Sequence, residues 1–345
     1  KSLSSTYLWA EIECMLEPIT SSDVEEFVLE CALVSTYTSK ETIQSLWSGY
    51  GKIERWRLSG SEYKQIITKQ VIPEVGDHPR GWNTDLSHQR KLKSYQVETN
   101  WYESTRNRGK PLLARVPHCL GTKKVGDQVL LVLEDLDASG FAGRRSLVNQ
   151  KEWQACVRWL ASFHLENMNQ STEGLWDSGT YWHLQTRPDE LARLDDSKLR
   201  EAAPAIDQKL KDAKYQTLVH GDAKLANFCF NYDGNEVAAV DFQYVGGGCG
   251  MKDLAYFVGS CFRYEDAEEI EQEVLNFYFS QIRELIENED FQISEDEFEA
   301  DWRPLYRVAW ADFHRFMKGW SPGHWKLSDY SERVTREVMD SLKEQ

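Results

Sequence analysis

The stretch Leu218–Phe230, "LVHGDAKLANFCF", puts His220 two positions before Asp222 and Asn227 five positions after it, all just beyond a short apolar run. It is followed by "NYDGNEVAAVDF", in which Asp233-Gly234 signals a hairpin whose second strand ends at Asp241. If the loop spans Asp233 to Asn235, Asn227 falls opposite Asp241, with Cβ atoms about 5 Å apart. A two-residue loop would shift the register by one and still leave both groups at the same end of the hairpin. An amide oxygen and a carboxylate converging there suit a hard cation such as Mg²⁺. Asp222, just upstream, is placed to accept a proton from a hydroxyl.

An aspartate, an asparagine five residues on and a metal-binding aspartate on the next strand also describe the catalytic loop of kinases. Such a loop works with a lysine on a strand of the preceding lobe and a glutamate on the following helix. In "EYKQIITKQVI", alternation places Lys69 on the same face as Ile67 and Val71, where an ammonium needs a partner. In "SYQVETNWYES", Glu98 lies three or four residues from Tyr95, Trp101 and Tyr102, on the apolar face of a helix, whereas Glu103 shares its face with polar residues. Glu98 is therefore the expected partner of Lys69. One hairpin earlier, Ser48-Gly49-Tyr50-Gly51 could cover phosphates with exposed backbone N–H groups. The backbone of Glu134 to Leu136, in "LVLEDLDASGF", could meet an adenine edge, and an ordinary strand end fits that segment equally.

The chain's organisation agrees with two lobes. Strand signals dominate residues 1–133 and helices dominate 134–345, so the expected class is α+β, a small β-rich lobe and a larger helical one, with a ligand cleft between them. The first lobe should contain a hairpin across Ser59-Gly60-Ser61, a helix from about Asp85 to Arg106, and strands "LLARVPHCL" and "QVLLVLEDL" joined by "KKVGD". The second should open with the helix "EWQACVRWLASFHLENM", break for the β segment at 217–241, and end in helices near 251–262, 265–288, 295–317 and 328–343.

With 345 residues and 41% hydrophobic content the chain can bury a sizeable core. Its 40 basic and 56 acidic residues give a formal charge of −16, which disfavours nucleic acid and anionic membranes as partners. The seven cysteines, Cys14, Cys31, Cys119, Cys156, Cys229, Cys249 and Cys261, are scattered without a C-x-x-C pair, and are read as reduced thiols of a cytoplasmic protein. Monomer and homodimer are both compatible with the sequence.

Together, "HGDAKLAN", "AVDF" and "GCGMKDLAYF" resemble the H-G-D-x-x-x-x-N, strand-Asp and G-x-x-x-x-D-L-A motifs of the aminoglycoside phosphotransferase and choline kinase superfamily, which has a protein-kinase-like fold. The pairing of "LVLEDL" with "VDFQ" and the Glu98-x-x-Trp101-Tyr102 spacing look closest to its ecdysteroid-kinase-like branch. The resemblance covers roughly residues 45–260. It implies an ATP- and Mg²⁺-dependent small-molecule kinase with Asp222 as base, Asn227 and Asp241 as metal ligands, Lys69 on the phosphates and Glu98 as its partner. Asp253, with His220, would brace the catalytic loop. Lys224 departs from the branch, which usually carries a bulky apolar or aromatic residue there. Asp241 and Asp253 stand too close in sequence for a peptide platform, so a small alcohol is the expected acceptor. A nucleotide-binding module without turnover is the alternative, and a metal hydrolase lacks a second histidine or carboxylate cluster.

Three further features fall outside these motifs. The C-terminal "WADFHRFMKGWSPGHWKLSDYSER", with His314, Trp320 and Trp325, could cage a cation, stack on a flat apolar body, or pack two helices. The acidic run from Glu265 to Asp301 reads as a solvated helix face. His164, on the apolar side of its helix, reads as a core histidine.

Overall fold

The computed structural model describes residues 18–46, 49–73, 85–109, 111–262, 264–288, 291–324 and 326–343. The chain divides into two compact units, Lys1–Gly109 with Pro117–Ser139, and Lys110–Val116 with Gly140–Gln345.

The first unit is a five-stranded antiparallel sheet with two described helices. Helix α1 (Ser21–Ala32) starts at a reciprocal cap, Thr20 accepting from the Asp23 amide while the Asp23 carboxylate accepts from the Thr20 amide. Its Val24, Val28 and Ala32, spaced four apart, pack on Trp56, Ile66, Leu120, Leu130 and Val132 of the sheet. The strands β1 (Tyr37–Ser45), β2 (Gly51–Leu58), β3 (Gln65–Val71), β4 (Cys119–Val125) and β5 (Gln128–Glu134) lie in the order β1-β2-β3-β5-β4. Strand β3 is thus central, and its Lys69 sits between Ile53 of β2 and Leu131 of β5. Helix α2 (Asp85–Asn107) follows β3.

Two expectations for this unit need correction. Strand β4 begins at Cys119 rather than Leu112, because Pro117 cannot donate to a ladder. Lys123, Lys124 and Val125 belong to the strand and not to the turn, which is only Gly126-Asp127, with Gly126 at φ +57°. Helix α1 and strand β1 are additions to the expected elements.

The second unit is mainly helical. Helix α3 (Gln150–Glu166) begins at a second reciprocal cap between Asn149 and Glu152. Two helices absent from the expected set follow, α4 (Pro188–Ala192) and α5 (Ser197–Lys211). Strand β6 (Thr217–Val219) pairs with β9 (Gly246–Gly248), and β7 (Phe228–Phe230) with β8 (Val237–Ala239). Next come α6 (Met251–Cys261), α7 (Tyr264–Asn288), α8 (Glu295–Trp302), α9 (Leu305–Trp320) and α10 (Asp329–Ser341). The helix expected over 295–317 is two helices, broken at Arg303-Pro304, where proline cannot donate back into the preceding turn. Among the described residues no helix is long and apolar enough to cross a membrane.

Candidate active site

In the first unit, Lys69 Nζ donates to Glu98 Oε2 at 2.6 Å, and both side chains are buried. Helix α2 presents Glu98 on the same buried face as Tyr95, Trp101 and Tyr102, and the Lys69 ammonium also lies 5.6 Å from the Tyr95 ring. Gly51 closes the β1–β2 loop with φ +141°; a Cβ there would stand 1.9 Å from the Gln70 carbonyl oxygen, so only glycine lets the loop approach β3. Gly49 is also left-handed, at φ +75°, with open space around it. Ser48 lies outside the described residues.

At the end of β5 the Glu134 amide donates to His118 O at 2.8 Å, and the Glu134 carboxylate accepts from the His118 amide at 2.9 Å. Leu136 is buried, and its carbonyl accepts from the Ser139 amide. The Glu134 N–H and the Leu136 carbonyl are thus engaged within the fold.

The second unit brings the catalytic-loop residues together. Gly221, at φ +79°, lets the chain turn between His220 and Asp222; a Cβ there would stand 2.1 Å from the Tyr244 carbonyl oxygen. Asp253 near the start of α6, fully buried, accepts from the amides of His220 at 2.5 Å and Gly221 at 2.9 Å, and lies 3.2 Å from His164 Nε2. His164 is therefore more than core filling. Its other nitrogen meets the Tyr278 hydroxyl at 2.9 Å, tying α3 and α7 to the loop's anchor. His220 joins the loop to the next strand, since its Nδ1 accepts from the Asp222 amide at 3.2 Å and its Nε2 lies 3.0 Å from Val240 O.

Replacing Asp253 with alanine would leave the buried His220 and Gly221 amides without their acceptor. At about 1–3 kcal/mol for each unsatisfied group, a loss of roughly 3 kcal/mol or more is expected, measured by chemical denaturation against wild type.

Of the two registers open to the sequence, the hairpin takes the one shifted by a residue from the pairing of Asn227 with Asp241. Phe228 pairs with Ala239 and Phe230 with Val237, so Asn227 stands opposite Val240, whose amide donates to Asn227 O at 3.0 Å. The cause is Asn231, whose side-chain oxygen accepts from the amides of Asn235 and Glu236 and closes the turn over Tyr232–Asn235. Asp241 comes one residue beyond the Asn227 partner and adopts left-handed backbone, φ +71°. For a non-glycine residue that costs of order 1 kcal/mol and is a recurrent mark of functional sites. Phe242 holds the turn in place, 4.6 Å from the His220 ring and 6.1 Å from Phe163.

The Asp222 carboxylate is the hub. Its Oδ2 accepts from Lys224 Nζ at 2.7 Å and Asn227 Nδ2 at 3.1 Å, and its Oδ1 accepts from the Tyr256 hydroxyl at 3.2 Å. Burial raises the Asp222 pKa above the ordinary aspartate value; Lys224 opposes that rise and the Asp241 charge adds to it. For Lys224, burial disfavours the ammonium, but the charges of Asp222 and Asp241 outweigh it and raise its pKa. Asn227 also donates to Asp222 O at 2.8 Å, which commits its nitrogen and leaves the amide oxygen as its second hydrogen-bonding atom.

Tyr256 was not among the expected site residues. Its signal is the i,i+3 spacing from Asp253, which places it on the same side of α6 as the loop's anchor.

Residues 165–291 match the ecdysteroid kinase-like family. The matched span contains the catalytic loop, the hairpin, Asp241 and Asp253, and it supports the resemblance to the aminoglycoside phosphotransferase and choline kinase superfamily. Among solved structures, a microcompartment-associated aminopropanol kinase is similar at 15% identity, with 93% of this chain and 98% of that chain covered and a TM-score of 0.50. Choline kinase from Cryptosporidium parvum Iowa II matches at 12% identity, covering 93% and 96%, with a TM-score of 0.48. The amicoumacin kinase hAmiN, in complex with AMP-PNP, Ca²⁺ and Ami, matches at 14% identity, covering 93% of each chain, with a TM-score of 0.49. No curated protein matches the sequence. The fold is kinase-like.

Proposed function

We propose that this protein is an ATP- and Mg²⁺-dependent kinase that phosphorylates the hydroxyl of a small molecule. The observation that carries the reading is the Asp222 carboxylate, buried, with Oδ2 taken by two donors and Oδ1 by only one. Oδ1 has a lone pair to spare, so it is the atom that receives the alcohol proton. The alcohol oxygen bonds to the γ-phosphorus as the bond to the β-phosphate oxygen breaks, and ADP leaves with the electron pair.

The donor set at the loop suits a hard cation. Among the described residues no group of three or more His, Cys, Asp and Glu is arranged around a common point. An amide oxygen from Asn227 and a carboxylate from Asp241 are hard ligands that leave positions for phosphate and water, as Mg²⁺ prefers. When bound there, Mg²⁺ would neutralise phosphate charge. Lys69, held by Glu98, would carry positive charge to the phosphates, and the loop containing Gly49 and Gly51 would cover them. The backbone from Glu134 to Leu136 is assigned to the adenine edge, Glu134 through its carbonyl and Leu136 through its amide. Asp253 and His220 keep the loop in position.

The similarity to an aminopropanol kinase supports a small alcohol as acceptor. A reducing, cytoplasmic setting suits the free thiols of Cys31, Cys119, Cys156, Cys229, Cys249 and Cys261.

The test is ADP formation across a panel of amino alcohols, sugars, aminoglycosides, sterol alcohols and hydroxy acids. Acceptor-dependent release that requires Mg²⁺ supports the reading. Tight Mg²⁺-ATP binding with no acceptor-dependent turnover would favour a nucleotide-binding module instead.

A further inference from the structure

A cavity of about 430 Å³ lies within the second unit, lined from the loop after α3, from α5, from β6 and β9, and from the first turn of α6. That is room for a small ligand. Its lining takes in neither Asp222 nor the aromatic cluster of Trp182, Tyr256, Phe313, Phe316 and Met317 that the Tyr256 hydroxyl joins to it.

The group that sets this cavity's chemistry is Lys252, in α6, which is only 3% exposed. A buried lysine or arginine ordinarily has an acid beside it. Among the described residues Lys69, Lys252 and Arg315 are the buried ones, and Lys69 pairs with Glu98 and Arg315 with Asp312. Lys252 makes no ion pair with a described residue. Its Nζ donates to Gly179 O at 3.4 Å, longer than an ordinary N–H···O bond, so two of its three donors take no acceptor from the described chain.

The acids of the lining do not complete it. Asp207 is engaged at both oxygens, with His183 Nε2 3.0 Å from Oδ1 and Lys211 Nζ 2.7 Å from Oδ2. Burial raises the Asp207 pKa, but His183, Lys211 and, through space, the Lys252 charge lower it below the ordinary aspartate value. Asp177 is exposed, where water screens its charge. The rest of the lining is rich in polar groups. Asn169, Thr172, Ser178 and Gln185 bring amides and hydroxyls whose side chains make no hydrogen bond to a described residue.

We propose that this cavity binds a small polyhydroxylated anion, its phosphate or carboxylate on Lys252 and its hydroxyl groups on the amide and hydroxyl side chains around it. The site is separate from the proposed chemistry at Asp222 and does not depend on it.

The experiment titrates the full chain with glucose 6-phosphate, gluconate, glucose and glucosamine, read by ligand-observed NMR and by thermal unfolding. At least one of the two anions should bind at least about tenfold more tightly than glucose or glucosamine, the gain expected of a charge-assisted hydrogen bond to a buried ammonium, and should raise the melting temperature. Preference for glucose 6-phosphate assigns a phosphate ligand, and preference for gluconate a carboxylate. Lys252→Met, which keeps the apolar stem, should remove that preference. Because it deletes a buried charge without an ion pair, its melting temperature in the absence of ligand should equal or exceed that of wild type. Ser178→Asp, which leaves the lysine in place and adds a negative charge to the lining, should also abolish the preference. Asp222→Asn should bind the anion as wild type does.

Equal binding of anion and neutral sugar, tightest binding of glucosamine, or an anion preference that survives both Lys252→Met and Ser178→Asp overturns the proposal. So does anion binding lost in Asp222→Asn, which would place the ligand at the proposed base. A large fall in melting temperature for Lys252→Met would show that the fold already supplies the ammonium's partner, and overturns it too.

Discussion

Asp222→Asn should lower kcat by about 10³-fold against whatever alcohol the protein phosphorylates, the range expected when a positioned general base is removed. Asparagine keeps the side chain's size, and its oxygen can still accept from Lys224, so the melting temperature should change little. What is lost is the basic Oδ1, whose remaining lone pair faces no second donor of the loop. The pH profile separates this from a structural effect. Burial, with the Asp241 charge behind it, holds the Asp222 carboxyl above the ordinary aspartate range, so the wild-type acidic limb of kcat/KM should lie above that range. Activity needs the ionised form, and falls as pH drops through the raised pKa. In Asp222→Asn the limb should disappear. Activity and limb both surviving would remove Asp222 as the base.

Much of the geometry is legible in the sequence because it is local. The Asp222–Asn227 spacing fits a single helical turn at Leu225–Asn227, and the asparagine amide returns to Asp222 within one loop. The face of α2 that carries Glu98 follows from helical period, because Tyr95, Trp101 and Tyr102 fix which side is buried. The hairpin register does not follow in the same way. Asp233-Gly234 marks the turn, but the Asn231 side chain decides where it closes, and an asparagine before a turn can bond either neighbouring amide or solvent.

Long-range placements are less legible still. Lys326 lies far along the chain from Asp222, and only the packing of α6 against α9 brings its ammonium to the Tyr256 and Phe313 rings. The aromatic run "WADFHRFMKGW" is correspondingly of mixed character. Phe313 and Phe316 are cluster members, His314 is buried 3.3 Å from Glu332, and Trp320 is 48% exposed and stacks on Phe316. Trp325 lies outside the described residues. Helical period identifies a buried stripe in such a run but not which rings face a ligand. The acidic stretch is mixed too, since Glu271 is buried and receives the Tyr330 hydroxyl at 2.6 Å.

Asp241→Asn should cost at least as much as Asp222→Asn, about 10³-fold or more in kcat/KM. Phosphoryl transfer depends mainly on positioning and charge neutralisation, and Asp241 is the charged member of the proposed metal pair. Asparagine is the informative substitution because it tolerates the left-handed backbone at φ +71°, which a β-branched residue would not. The variant should therefore fold, and its loss should appear as a higher Mg²⁺ requirement as well as a lower rate. A second signature follows from electrostatics. The Asp241 charge helps to raise the Asp222 pKa, so removing it should move the residual acidic limb to lower pH. Loss of rate with an unmoved limb and an unchanged Mg²⁺ dependence would mean that Asp241 acts only through the backbone of the turn, held by Phe242 against His220, and that the metal assignment is wrong.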